Sequence, residues 1–336
     1  MPPFMGLLGS LVAVNLAVWG WALIAFHDRP VLMGTALLAW SLGLRHAVDA
    51  DHIAAIDNVT RKLMQAGRRP LSVGLFFALG HSAVVALVVA GLALATPHLA
   101  GRFESFREIG ALVGTLASAL FLFAIATVNL VILRSLWRTF RHLRRGGRYA
   151  EEDLDVLLGG RGLLARLCRP LFRLITRPWH MALLGFLFAL GFDTAAEVAL
   201  LGLSASQAAH GMPVWSVLVF PALFAAGMAL VDTADGALMI GAYGWAVARP
   251  LRRLYYNLTI TFMSVVIAVA VGCLYLLGLI GERLGPSGAF WDTIGRLNDN
   301  ADSLGFLIIG VFISIWIGAI VLYRYKRLDE VEVAAD

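Results

Sequence analysis

Two histidines and two aspartates lie within seven consecutive residues, directly after the apolar run 31–44. They are His46, Asp49, Asp51 and His52. An ionisable side chain is costly inside a lipid bilayer, so four together require compensation by a metal ion or by water. Imidazole and carboxylate ligands without thiolate are typical of Ni, Co, Zn or Mn sites, and chains of the same residue types also form proton relays. The cluster predicts an intramembrane metal site or a proton pathway.

Further ionisable side chains fall in three other apolar stretches. His81 lies in one, Asp193 and Glu197 share a second, and Asp232 and Asp235 share a third. At about 100° per residue, the first pair lies within about 40° on a helix and the second within about 60°, so each pair faces one way. Helices carrying these residues could therefore direct them at a common point.

An unbroken helix could present His46, Asp49 and His52 along one stripe, but it would point Asp51 nearly opposite Asp49. Relative to His46, Asp49 would lie at about 300°, His52 at about 240° and Asp51 at about 140°. Either Asp51 has a packing role, for example by pairing with Arg45 or a neighbouring helix, or the helix unwinds here. Discontinuous helices line the binding sites of many transporters.

The composition is that of a polytopic membrane protein. Of the 336 residues, 60% are hydrophobic and 15% are charged, whereas soluble domains are about 25% charged. A spanning helix needs about 20 apolar residues, and continuous apolar stretches without alternation favour helices over a barrel. We therefore predict an all-α membrane protein with eight transmembrane helices, at about 6–26, 31–57, 72–96, 108–134, 180–204, 214–246, 257–281 and 304–323.

Basic residues concentrate in four of the connections between these helices. By the positive-inside rule all four connections lie in the cytoplasm, which places both termini there as well. This topology accounts for the net charge of +5, so the charge gives no reason to expect a nucleic-acid partner. The four connections are 61–69, 134–177, 249–253 and 324–327.

The longest basic connection divides the predicted helices into two halves. We expect a first transmembrane half at 1–134, a basic cytoplasmic loop at 135–179 and a second half at 180–336, with four helices in each half. The loop is interpreted as a solvated linker. Asp57 and Asn58, near the predicted cytoplasmic end of the second helix, are interpreted as membrane-interface groups.

The segment 45–53, Arg-His-Ala-Val-Asp-Ala-Asp-His-Ile, resembles the H-x4-D-H signature of the nickel/cobalt transporter (NiCoT) family. His46, Asp51 and His52 occupy the named positions of that signature. The resemblance implies that these three residues are required for transport. That requirement favours the locally unwound helix, because a straight helix would direct Asp51 away from the histidines.

Three further segments are similar to motifs of the same family. Residues 190–197 are similar to L-G-x-D-T-A-T-E and depart from it only at Ala196, where threonine is usual. Residues 79–82 and 227–236 are similar to two other motifs of the family. The resemblance covers residues from about 31 to 240, in the order that the family has them.

The resemblance implies secondary transport of Ni(II) and Co(II) across a prokaryotic cytoplasmic membrane, usually as uptake. The metal ion is then the substrate, and we expect no permanently bound cofactor. Membrane lipid is the other expected partner, and the sequence leaves the oligomeric state open.

The predicted site combines imidazole and carboxylate side chains from four helices. Because an imidazole must be deprotonated to bind metal, binding is expected to weaken as the pH falls through about 6. The predicted metal-binding residues are His46, Asp49, Asp51, His52, His81, Asp193, Glu197 and Asp232. The residues predicted to orient ligands or to gate the site are Arg45, Thr194, Asp235 and Asn129.

Two alternatives stay open at this point. A nickel or cobalt exporter, or a proton-coupled exporter, of the same fold is one, because sequence does not encode the direction of transport. An intramembrane metalloenzyme is the other, because H-x5-H resembles the histidine boxes of membrane di-iron oxygenases. That chemistry needs several boxes, and the remaining histidines are scattered near the ends of the predicted helices.

Overall fold

The computed structural model is helical in all of its regular secondary structure. It describes residues 2–65, 67–68, 70–94, 100–144, 175–190, 195–246, 250–300, 304–311, 313–314 and 317–318. The helices are α1 (Pro2–Phe26), α2 (Pro30–His46), α3 (Ala50–Gln65), α4 (Val73–Leu94), α5 (Ala100–Arg144), α6 (His180–Ala189), α7 (Ala195–Ala209), α8 (Val214–Val217), α9 (Val219–Ala246), α10 (Pro250–Leu284) and α11 (Ala289–Asp299). A further helical segment covers 304–311.

Five stretches within these helices are long and apolar enough to cross a membrane, and the number is up to six if the bent pair α2–α3 forms one span. The chain is thus an all-α, multi-pass membrane protein. The predicted span at 180–204 includes α6, which has only 10 residues and is too short to cross alone. Together with the predicted span at 304–323, which lies partly outside the described residues, it stays a prediction.

The predicted break in the second helix is present. Helix α2 ends at His46 and α3 begins at Ala50, with a bend of 52° between them. The residues between the two helices form tight turns, in which Asp49 donates its backbone N–H to the carbonyl oxygen of His46 at 2.9 Å. Gly305 packs against this turn, because an added Cβ would overlap the carbonyl oxygen of Val48.

Helix α5 continues to Arg144, so the predicted end of the fourth helix at 134 is wrong. The apolar pattern stops near residue 134 because the chain becomes basic there. Arginine is nevertheless a good helix former, so the helix has no reason to stop where the apolar stretch does. The amphipathic helix α11 was also not predicted, and it occupies part of the connection after α10.

Helix α9 lies at the centre of the described bundle and packs against α1, α2, α3 and α4. Its apolar side chains include Phe220, Leu223, Phe224 and Met228, and all four are completely buried. Helix α5 also packs extensively against α10, and α4 packs extensively against α6. Three helices that carry signature motifs, α2, α3 and α4, are thereby held against a fourth, α9.

Small residues allow the closest of these helix crossings. An added Cβ at Gly43 of α2 would overlap the backbone of Phe224, and one at Gly74 of α4 would overlap the backbone of Asp232. Gly80 makes the same kind of contact with the carbonyl oxygen of Ala182 in α6. Membrane helices usually pack in this way. Lipid tails are as apolar as large side chains, so no hydrophobic effect drives two helices together, and their association depends on the close van der Waals contact that small residues allow.

Replacing Gly80 with alanine tests this packing. We expect Gly80→Ala to destabilise the protein by about 1–3 kcal/mol, because a rigid backbone carbonyl occupies the space of the new methyl group. The matched control is Gly91→Ala in the same helix, where an added Cβ has nothing within 4 Å. The measurement is the midpoint of thermal unfolding in detergent, and equal midpoints for the two variants would contradict the packing argument.

Candidate metal centre

The break between α2 and α3 brings the two signature histidines together. His46 is the last residue of α2, and His52 lies in the first turn of α3. Their ring centroids are 4.6 Å apart. On one straight helix the two side chains would point about 120° apart, and the bend turns both rings toward the same chamber.

His81 of α4 supplies a third imidazole. Its ring centroid lies 4.7 Å from that of His46 and 4.9 Å from that of His52. One ring nitrogen from each of the three histidines lies within 4.8 Å of the other two. The three side chains are also almost completely buried, at 1%, 0% and 2% exposure for His46, His52 and His81. Together they form the histidine chamber.

Carboxylates orient two of the three rings. His46 Nδ1 donates to Asp49 Oδ2 at 2.6 Å, and His52 Nδ1 donates to Asp232 Oδ1 at 3.2 Å. A carboxylate can only accept, so in each neutral ring the proton is on Nδ1 and Nε2 carries the lone pair. A carboxylate on the far nitrogen is the usual way of orienting a metal-binding imidazole.

Glu197 brings a further carboxylate into the chamber from α7. Its Oε1 lies 2.8 Å from His81 Nε2 and 3.9 Å from His46 Nε2. The two Nε2 atoms are themselves only 2.9 Å apart. Two imidazole nitrogens and a carboxylate oxygen thus converge on one small volume, which is an arrangement that could hold a divalent cation.

Aromatic side chains enclose the chamber and were not identified from the sequence. Phe77 presents its ring to His52 at a centroid distance of 4.7 Å, and Phe224 lies 5.4 Å from His46. Phe77 could have been found, because it lies four residues before His81 on the same helix face. Phe224 had no such signal, since its position depends on the crossing of α9 with α2.

Comparison with known proteins agrees with the family resemblance. A family model described as high-affinity nickel-transport protein (NicO) matches residues 32–322. The chain belongs to this family. No solved structure matches it.

Several curated NicO relatives are similar over nearly their whole length. The chain is 60% identical to the high-affinity nickel transport protein of Cupriavidus necator, over 98% of this chain and 94% of the relative. It is 41% identical to the high-affinity nickel-transport protein NixA of Helicobacter pylori strain J99, over 94% of this chain and 96% of the relative. It is 42% identical to the cobalt transport protein NhlF of Rhodococcus rhodochrous, over 95% of this chain and 93% of the relative.

Asp51 of the NicO signature takes a different position from the other carboxylates. Its Oδ1 accepts the backbone N–H of His52 at 2.9 Å, within the first turn of α3. A carboxylate there satisfies a free N–H group and interacts favourably with the helix dipole. The side chain is 8% exposed, and among the described contacts it bonds to the backbone that carries His52 rather than to an imidazole ring.

Not every predicted site residue joins the histidine chamber. Asp193 and Thr194 lie outside the described residues. Arg45, which precedes His46 in α2, is exposed. Asp235 and Asn129 lie instead in a second buried polar cluster, further along α3.

This second cluster, the buried polar layer, comprises Asp57, Asn58, Thr60 and Arg61 of α3, Asn129 of α5, Thr261 and Ser264 of α10 and the half-buried Asp235 of α9. Asn58 Oδ1 accepts hydrogen bonds from Arg61 Nη2 at 2.9 Å and from Asn129 Nδ2. Asp57 and Asn58 are each 1% exposed. Their interpretation as membrane-interface groups is therefore wrong, because the polar groups they contact belong to neighbouring helices rather than to water or lipid.

Asp232→Asn tests the orienting contact on His52. We expect nickel affinity to fall by about 10–100-fold, because the amide no longer accepts a charge-assisted bond that sets the tautomer of the ring. Equilibrium binding of radioactive nickel to the purified protein in detergent measures the effect. Asp292→Asn, an exposed aspartate in α11, is the matched control, and equal affinities for the two variants would show that Asp232 has no orienting role.

Proposed function

We propose that this NicO chain carries Ni²⁺, and Co²⁺ as a related substrate, across the cytoplasmic membrane into the cell. The observation that carries the proposal is the histidine chamber, where His46, His52 and His81 meet inside a bundle of membrane-spanning helices. Membership of the family and the names of the relatives indicate transport of these metals. The words "high-affinity nickel transport" in two of those names favour uptake over export.

The donor set of the chamber suits nickel and cobalt. Neutral imidazole binds late first-row metals well, and the nearby carboxylates balance the charge of a divalent ion. The proposed ligands are His46, His52 and His81, with Glu197 beside them. Asp49 and Asp232 orient the rings of His46 and His52 through their Nδ1 atoms. Asp51 accepts the backbone N–H of His52 at the start of α3.

The spacing of the nitrogens also bears on the metal. Two ligands about 2.1 Å from one ion lie about 3.0 Å apart at a right angle and about 3.4 Å apart at a tetrahedral angle. The 2.9 Å between His46 Nε2 and His81 Nε2 is the length of a hydrogen bond between the two rings. It is also close to the separation of two ligands on one ion, so an ion can replace the shared proton with little movement of the rings. Ligands on opposite sides of one ion lie about 4.2 Å apart. The three histidine nitrogens lie within 4.8 Å of one another, so the rings need to move only slightly toward one another when the ion enters.

The proposed transport step is alternating access around this chamber. A hydrated ion enters from outside and exchanges water for imidazole nitrogens and a carboxylate oxygen. The tight turns between α2 and α3 act as the hinge, because backbone outside regular helix changes its dihedral angles with the least loss of hydrogen bonds. Movement of α3 relative to α2 then separates His52 from His46 and opens the chamber toward the cytoplasm.

The proposed topology has eight spans in two halves, 1–134 and 180–336, with both termini in the cytoplasm. The basic connections support this orientation through the positive-inside rule. A long α5 fits it as well, because the helix extends past the apolar stretch into the basic connection on the same side.

A double variant tests the function. We expect His46→Ala with His52→Ala to abolish uptake of radioactive nickel into proteoliposomes, because two imidazole ligands are lost and Asp232 is left buried without a partner. The control is His27→Ala, since His27 is exposed and pairs with Asp28 outside the chamber. Undiminished uptake by the double variant, inserted normally, would reject the chamber as the transport site.

The same preparation tests substrate and direction. Excess Co²⁺ is expected to compete with nickel uptake, and Zn²⁺ and Mn²⁺ to compete less well. Cells that express the chain are expected to gain internal nickel relative to cells with the double variant. A loss of internal nickel would favour the exporter.

A further inference from the structure

The buried polar layer contains two carboxylate oxygens that lack partners. Asp57 Oδ1 on α3 and Asp235 Oδ2 on α9 are shielded from solvent, and neither has a hydrogen-bond partner among the described residues. The other oxygen of Asp57 accepts from Ser264 Oγ at 2.8 Å. Gly236, the residue after Asp235, packs against α3, since its added Cβ would lie 3.7 Å from Ile56 Cγ2, and Ile56 directly precedes Asp57. Two carboxylates brought together away from solvent repel each other unless a positive charge lies with them.

Hydroxyl groups on the same helices point to a ligand independently of the carboxylates. Thr60 and Thr261 are both 0% exposed, and their Oγ1 atoms have no partner among the described residues. Thr60 lies one turn after Asp57 and faces α9, where an added Cβ on Gly236 would be 3.9 Å from its Oγ1. Thr261 lies one turn before Ser264 on α10. Buried hydroxyls normally find a partner, so the layer has spare oxygen donors on three helices.

Arg61 does not neutralise the pair by direct contact. Its Nη2 donates to Asn58, whereas its Nε and Nη1 have no hydrogen-bond partner among the described residues. Its charge acts on Asp57 without a hydrogen bond between the two side chains. Arg61 is therefore a fixed positive charge beside the carboxylates, and such a charge weakens the hold on a second cation and favours its release.

We propose that Asp57 and Asp235 form a second cation site, with oxygen ligands only, that holds a divalent metal ion. Ser264, Thr60 and Thr261 line it. The ligand class is a hard divalent cation such as Mn²⁺, and Ni²⁺ binds there more weakly than at imidazole.

The position of the site gives it a place in the transport path. Asp235 lies one turn beyond Asp232 on α9, and Asp57 lies about 7.5 Å beyond His52 along α3. An ion that leaves His52 and Asp232 toward the basic connection after α3 would reach this pair next. That order rests on the proposed function, whereas the existence of the site does not.

Binding of Mn²⁺ to the purified protein in detergent tests the site. The sharp electron paramagnetic resonance signal of free Mn²⁺ disappears on binding, so its loss counts the bound ions. We expect the unaltered chain to bind Mn²⁺, and we expect Asp57→Asn or Asp235→Asn to lose this binding. Asp292→Asn is the matched control and is expected to bind Mn²⁺ as the unaltered chain does.

A variant of the histidine chamber separates this proposal from the proposed function. His46→Ala with His52→Ala is expected to lose tight nickel binding and to keep Mn²⁺ binding. The two aspartate variants are expected to keep tight nickel binding, which also shows that they are folded. The second site is overturned if the unaltered chain binds no Mn²⁺, or if the histidine variant loses its Mn²⁺ binding. It is also overturned if neither aspartate variant changes the number of bound Mn²⁺ ions, which would mean that a proton shared by Asp57 and Asp235, and no metal ion, holds the two carboxylates together.

Discussion

The structure depends on the break between α2 and α3. A continuous helix would point His46 and His52 about 120° apart, and the two rings could not then both lie within 4.9 Å of His81. The break also creates the start of a new helix, where Asp51 bonds the backbone N–H of His52. Three costly features, an interrupted helix, buried imidazoles and buried carboxylates, thus share hydrogen bonds with one another. These bonds lower the cost of placing the cluster in a membrane, although Asp49 Oδ1, His52 Nε2 and His81 Nδ1 have no partner among the described residues.

Close helix packing converts that local arrangement into a chamber. Glycines at the crossings of α9 with α2 and α4 let the helices approach closely, so Asp232 of α9 lies near His52 at the start of α3. Larger residues there would separate the helices, and the contact between His52 and Asp232 would be lost before any ligand changed. The small residues at these crossings therefore support the proposed site, although they bind nothing.

Much of this arrangement could be predicted from the sequence, because burial of charge in an apolar stretch is visible without coordinates. The cluster around His46, the helices of His81, Glu197 and Asp232, and the break itself were all predicted. Contacts between distant helices were not predictable in this way, so Phe224 was missed. Asp57 and Asn58 were misinterpreted for a related reason. Hydropathy shows that the two residues lie at the end of an apolar stretch, but it does not show whether their side chains face the membrane interface or another helix.

The two polar clusters differ in chemistry in a way that suits a transporter. An ion held only by imidazole would bind tightly and leave slowly, and conduction requires that a site also release its ion. Along α3 and α9 the donors change from nitrogen near His52 to oxygen near Asp57, and a fixed positive charge follows at Arg61. Nickel prefers the first set to the second, so its affinity would fall at each step along the path proposed above. A graded series of this kind would capture the ion at the chamber and favour its release at the far end without requiring that the chamber itself bind weakly.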